Sequence, residues 1–194
     1  MRSIFYFLSL TFSFPAFLFC SADPGFFCQF PNRYFVETGS YEGGGIAAAL
    51  RDGFIEIHSI ELSEKYYSYC QAKFAGYSNV HLWHGDSGEI LAHVIEPIQE
   101  PITFWLDGHF SGGGTAKGVM NTPLLQELEA IKKHPIKTHT IIIDDIRLLG
   151  RDEFDFIQMS EITQAIFDIN KGYRISYQDG TFKNDILVAE VIPK

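Results

Sequence analysis

Carboxylates recur where short apolar runs of this 194-residue chain end. Glu37 closes a run that starts at Tyr34, Glu61 follows Ile55 to Ile60, and Asp86 comes shortly after Val80 to Trp83. Asp107 follows Ile102 to Leu106, and the pair Asp144-Asp145 follows Thr140 to Ile143. In an open parallel sheet, ligands bind beyond the carboxyl ends of the strands, so acids repeated at those ends converge on one crevice. Glu37 also opens a glycine-rich turn, with Gly39, Ser40, Gly43, Gly44 and Gly45 leading into Ile46-Ala47-Ala48-Ala49. Glycines allow positive φ and close approach of a ligand to the backbone, and small alanines let the next helix lie against its neighbours. A helix start there offers unpaired N–H groups to a carboxylate or phosphate. A purely structural loop would use the same residues. The second strand changes the balance, because Glu61 falls where nucleotide-binding folds keep an acid for ribose hydroxyls. Asp86-Ser87 adds a third polar strand end.

Three carboxylates, Asp107, Asp144 and Asp145, meet at the same predicted edge, and hard oxygen ligands suit magnesium or calcium. His109 could take a substrate proton, since an unperturbed imidazole has a pKa of about 6.5. The plainer alternatives are that the aspartate pair caps the next turn while Asp107 contacts only a bound cofactor, and that His109 hydrogen-bonds its own loop. Ser111 to Gly118 is glycine-rich but lacks the order GxxxxGK[ST] and does not follow the first strand, so it reads as a mobile loop over the substrate, with Lys117 either solvated or touching an acidic substrate group, and not as a triphosphate site. His58, His81, His84, His93, His134 and His139 have no ligand-like spacing and read as structural or surface residues.

The elements that must position these groups alternate. Between the apolar runs lie helical stretches at Gly45 to Arg51, Ser63 to Phe74, Ser87 to Ile95 and Pro123 to Lys133. In the last of these, Thr122 can cap, Pro123 suits the first turn, and Leu124, Leu125, Leu128 and Ile131 form an apolar face. After Asp145 come a helix around Glu161 to Ile169 and two apolar runs, Tyr173 to Tyr177 and Ile186 to Ile192, joined by Gln178-Asp179-Gly180. The expected fold is α/β, a doubly wound, mostly parallel sheet with helices on both faces and a C-terminal antiparallel hairpin.

Glu37 with Gly39, then Glu61, Asp86 and Asp107, each at its own strand end, resemble the successive motifs of class I S-adenosylmethionine-dependent methyltransferases over residues 33 to 192. The resemblance implies that Glu37 and the glycine turn, with Ser40 and Gly43, hold the methionine part of S-adenosylmethionine. It likewise implies that Glu61 binds the ribose and that Asp86 and Ser87 meet the adenine. The turn departs from the family's usual acid-x-Gly-x-Gly-x-Gly, because Ser40-Tyr41-Glu42 separates Gly39 from Gly43. Asp107 with Asp144-Asp145 also resembles the metal-dependent O-methyltransferases. That likeness implies a divalent ion such as Mg2+ on these three acids, binding a substrate hydroxyl as methyl acceptor. His109 stays the alternative base by the chemistry of its imidazole. The lack of a substantial insertion between core elements favours a small molecule as that acceptor.

Composition narrows the rest. A formal charge of −9 and the lack of a basic stripe argue against nucleic acid as a partner. With 46% apolar and 20% charged residues the chain has no compositional mark of disorder, and its length suits one domain, residues 23 to 194. Residues 1 to 22 read as a hydrophobic leader: Arg2 precedes the apolar stretch Ile4 to Phe19, broken by Pro15, and Cys20-Ser21-Ala22 suits cleavage before Asp23. Lipidation of Cys20 is the alternative. Membrane contact is expected only through this leader, with export if it is used and a cytoplasmic location if it is not. Cys28 and Cys70 could pair or stay free. Two rival functions remain. A NAD-linked oxidoreductase would use Gly43-Gly44-Gly45-Ile46-Ala47-Ala48 as GxGxxA, but that motif should begin at the strand end. A noncatalytic exported nucleoside-binding protein would keep the fold without the chemistry.

Overall fold

The computed structural model describes residues 25–110, 112 and 116–191. The leader, its cleavage site and Cys20 lie outside the described residues, as do residue 111 and residues 113–115 of the glycine segment. The elements run β1 (Tyr34–Thr38), α1 (Gly44–Arg51), β2 (Glu56–Glu61), α2 (Glu64–Lys73), β3 (Val80–His84), α3 (Ser87–Ile95), β4 (Ile102–Leu106), α4 (Leu124–Lys133), β5 (Thr140–Ile143), α5 (Met159–Ile169), β6 (Tyr173–Gln178) and β7 (Ile186–Val191). They build a seven-stranded sheet in the order β3-β2-β1-β4-β5-β7-β6. The first five strands pair in parallel, while β7 runs antiparallel to both β5 and β6. This is the expected doubly wound α/β fold, with the hairpin's second strand inserted beside β5.

Burial explains which strands are central. Every residue of β4 and β5 is buried, and both are short continuous apolar runs of the kind a sheet covered on both faces requires. At the sheet's edges, β3 is only half-buried, and β6 alternates around exposed Arg174 and Tyr177. One face packs on α3, α4 and α5 through Leu91, Ile95, Leu124, Leu128, Ile131, Ile162 and Ile166. The other packs on α1 and α2 through Ile46, Ala49, Cys70 and Phe74, completed by Phe26, Phe27 and Phe30 against Phe35 and Trp105. Among the described residues no helix is long and apolar enough to cross a membrane. Cys28 is exposed and Cys70 buried, both as free thiols.

Several boundaries differ from the sequence reading by a residue or two, three of them at helix starts. Helix α5 starts at Met159, before the expected Glu161, because Glu161 is the third helical residue of a capping box and accepts the Gln158 N–H at 2.9 Å. Helix α4 starts at Leu124, with Pro123 as its cap, and the Thr122 hydroxyl accepts the Leu124 N–H at 3.4 Å. Helix α1 begins one residue early, at Gly44, after Gly43 turns the chain at φ 76°.

Candidate active site

Gly39 is where β1 meets β4. Its φ is +82°, and a Cβ there would lie 2.4 Å from the carbonyl oxygen of Asp107, so only glycine lets the two strand-end turns touch. Its N–H donates to the Ile60 carbonyl, tying the same turn to β2. The Glu61 carboxylate accepts the Tyr41 N–H at 2.8 Å and the Ser63 N–H at 2.7 Å, so it clamps the glycine loop to the start of α2. Tyr41 itself has a φ of 45°, and its ring packs 4.4 Å from that of Tyr66. Asp86 caps α3 by accepting the Gly88 N–H at 2.9 Å.

At the ends of β4 and β5, His109 lies between two aspartates, its Nδ1 3.5 Å from Asp107 and its Nε2 3.2 Å from Asp145. Asp145 takes the left-handed conformation at φ 56°. Its carboxylate also meets the Arg147 guanidinium, which reaches Asp185 and lies 4.3 Å over the Phe182 ring. Burial pushes the Asp145 carboxyl up, but hydrogen bonds from His109 and Arg147 outweigh it and hold the pKa below the usual value. At Asp107, burial together with the charges of Asp144 and Asp145 holds the pKa well above the carboxylate range.

Two further acids form the floor. Glu37 is buried, and burial pushes its pKa up to about 8 against a hydrogen bond from Ser59. The Ser59 hydroxyl donates to Glu37 at 2.5 Å and meets that of Ser40 at 2.5 Å. Glu127, on α4, is equally buried at a pKa of about 7 and accepts from the Ser87 hydroxyl at 2.6 Å, directly beneath Gly108.

Above this floor opens a cavity of about 760 Å³, a size that suits a nucleoside with a small second substrate. Gly39, Glu61, Asp86, Ser87, Asp107, His109, Asp144 and Asp145 line it, so most of the residues singled out in the sequence do converge. Glu37, Ser40 and Gly43 do not line it. Glu37 shares a sheet face with Phe35 and turns under α1, where a Cβ on Gly45 would lie 1.8 Å from its Oε1, and Gly43 faces the Phe74 ring. The expectation that these three touch the ligand is therefore corrected to a supporting role. The metal set also changes. Ligand atoms of Asp107, His109 and Asp145 fall within 4.8 Å of one another, whereas Asp144 stays outside the group and spends Oδ1 on the Asp145 N–H. The left-handed turn at Asp145 brings its carboxylate round to His109, which the sequence pairing of two acids did not disclose. Glu127 and Arg147 were not singled out in the sequence. For Glu127 a signal existed, because it interrupts the apolar stripe of Leu124, Leu128 and Ile131.

No family model and no curated protein matches the chain. Solved structures do. An SAH-bound methyltransferase from Podospora anserina superposes with a TM-score of 0.55 at 13% identity, covering 83% of this chain and 72% of the other. An O-methyltransferase from Bacillus cereus in complex with SAH gives 0.54 at 13% identity, covering 82% and 74%. The O-methyltransferase TomG from Streptomyces achromogenes, involved in tomaymycin synthesis and in complex with SAM, gives 0.52 at 12%, covering 83% and 74%. The chain thus has the Rossmann-like fold of S-adenosylmethionine-dependent methyltransferases.

Proposed function

We propose that the chain is an S-adenosylmethionine-dependent methyltransferase acting on an oxygen of a small molecule. One observation carries this reading: the charged lining of the cavity is six carboxylates against one guanidinium and one imidazole. Such a field favours a cationic sulfonium and opposes a pyrophosphate, so it separates this cofactor from NAD. The N-terminus of α1 agrees, because the Glu37 carboxyl lies against Gly45 where a dinucleotide's phosphates would need room.

The strand order gives the cavity two halves. Glu61, Leu62, Asp86 and Ser87 stand over β2 and β3 and would hold the nucleoside, with the Glu61 carboxylate also keeping the glycine loop in register. Asp107, His109, Asp145, Arg147 and Phe182 stand over β4, β5 and β7 and would face the acceptor. The cofactor supplies a sulfonium methyl, which passes to the acceptor oxygen while the C–S bonding pair stays on sulfur and the hydroxyl proton leaves to a base. Asp107 serves as the face of that base. Its side chain is 26% exposed against 4% for His109, so His109 stands behind it and spreads the proton's charge towards Asp145.

A second arrangement is favoured by the donor spacing. Asp107, His109 and Asp145 fit a divalent ion of the kind that accepts imidazole with carboxylate, which would lower the pKa of the acceptor hydroxyl when bound. Calorimetric titration with S-adenosylhomocysteine and, separately, with NAD+ tests the cofactor assignment. Saturable heat with the first and none with the second is expected, and the opposite order refutes it.

A further inference from the structure

Glu127 breaks the pattern of its own helix. At its spacing on α4, Leu124, Leu128 and Ile131 are apolar and pack on the sheet, yet here a carboxyl is buried among them and does not line the cavity. Burying an ionisable group costs stability unless partners compensate it. Burial pushes this one up to about 7 against hydrogen bonds from the Ser87 and Thr38 side chains. A leucine would fill the stripe without that cost, so the role of the acid lies in what its oxygens hold.

Those oxygens stand where three strand-end turns meet. Ser87 opens α3 beside the cap Asp86 and donates its hydroxyl to Glu127 at 2.6 Å. Thr38 ends β1, and its hydroxyl oxygen also accepts the Asp107 N–H at 3.3 Å, so the same carboxyl reaches the end of β4 through one atom. Gly108 completes the group. A Cβ there would lie 3.1 Å from Glu127 Oε1, 3.2 Å from Thr38 Oγ1 and 3.3 Å from Ser87 Oγ, so the missing side chain lets the turn at residues 107–109 rest on all three. In the sheet, β3 and β4 are separated by β2 and β1, and no ladder hydrogen bond sets the spacing of their ends directly. Ser87 lines the cavity after β3, and Asp107 and Gly108 line it after β4.

We propose that Glu127 is a positioning residue: its carboxyl sets the spacing between the two walls of the cavity, through Ser87 on one side and through Thr38 and Gly108 on the other. The proposal rests on the methyl-transfer reading only for what each wall holds.

Three variants of the full chain test it. Glu127→Leu completes the apolar stripe and strands both hydroxyls, Glu127→Gln keeps the shape and one acceptor oxygen, and Thr38→Val cuts only the link to β4. Amide hydrogen exchange without ligand is the first readout. In Glu127→Leu, residues 85–90 and 106–110 should both exchange about tenfold faster while β2 and the β6–β7 hairpin keep wild-type rates. Thr38→Val should quicken 106–110 alone, and Glu127→Gln should stay within about threefold of wild type in both segments. Calorimetry with S-adenosylhomocysteine is the second: affinity should fall about tenfold in Glu127→Leu and return to within about threefold in Glu127→Gln. Quickening of only one segment in Glu127→Leu, equal loss of protection over the whole sheet, a Thr38→Val pattern that reaches 85–90, or glutamine no better than leucine overturns the proposal. If the wild-type chain binds no S-adenosylhomocysteine, the methyltransferase reading falls, and the exchange of the two segments still decides whether Glu127 joins them.

Discussion

Replacing Gly39 with alanine places a methyl group 2.4 Å from the carbonyl oxygen of Asp107 and 2.9 Å from its carbon, both backbone atoms that no rotamer can move aside. Two costs add. The left-handed φ of +82° costs a non-glycine residue about 1–2 kcal/mol, and forcing apart two packed turns costs about 1–3 kcal/mol more. Gly53 supplies the control, since its φ is +92° but nothing lies within 4 Å of its Cβ position. Gly53→Ala should therefore show only the first cost. Urea unfolding of the two variants reads the difference directly: Gly39→Ala should be the less stable by about 1–3 kcal/mol, or about 2–4 °C in Tm for each kcal/mol at this chain length. Because the displaced atoms belong to Asp107, Gly39→Ala should also weaken S-adenosylhomocysteine binding, while Gly53→Ala should not. Equal losses in the two variants would refute the claim that the β1 and β4 turns are held in contact by a missing side chain.

Glu61→Gln leaves one of two backbone N–H groups facing an amide NH2, so it should cost about 1–3 kcal/mol of loop order and lower S-adenosylhomocysteine affinity about tenfold, read by calorimetry. His139 is a buried base whose Nδ1 accepts the Ile102 N–H, and burial lowers its pKa to about 3. The folded state keeps it neutral while the unfolded chain protonates below about 6.5, so its contribution to stability is lost as pH falls from about 6.5 towards 3, at up to about 1.4 kcal/mol per pH unit. His139→Asn keeps an acceptor at the Nδ1 position and should flatten that slope in urea titrations; an unchanged slope argues that His139 is not the group responsible. On the metal arrangement proposed above, a divalent ion would be held through His109, so manganese heat should vanish in His109→Gln and persist in Asp144→Asn. The reverse pattern would restore the three-aspartate set.

The strand-end acids were legible because a carboxylate after an apolar run announces both the end of a strand and a place where water or ligand can reach it. Glu61, Asp86, Asp107 and Asp145 followed that rule into one cavity. Glu37 did not, because a strand alternates its faces and an acid at its last residues can point to either. Glu37 aligns with Phe35 on the face covered by α1, where it meets Ser59 from β2. The three acids do not form one compact ligand group for a related reason: the left-handed turn at Asp145 carries its carboxylate round to His109, while Asp144 spends Oδ1 on the Asp145 N–H. The Arg147–Asp185 pair spans 38 positions and has no local signal at all. Alternation of apolar runs with amphipathic stretches, by contrast, is a local property, and it gave the order of strands and helices nearly to the residue.

Diffraction from crystals soaked with S-adenosylhomocysteine tests the central claim most directly. The account predicts ribose hydroxyls on the Glu61 carboxylate, the adenine beside Asp86 and Ser87, and the homocysteine sulfur turned towards Asp107. Nucleoside density over β5 and β7 beside Phe182, or outside the cavity altogether, would contradict it.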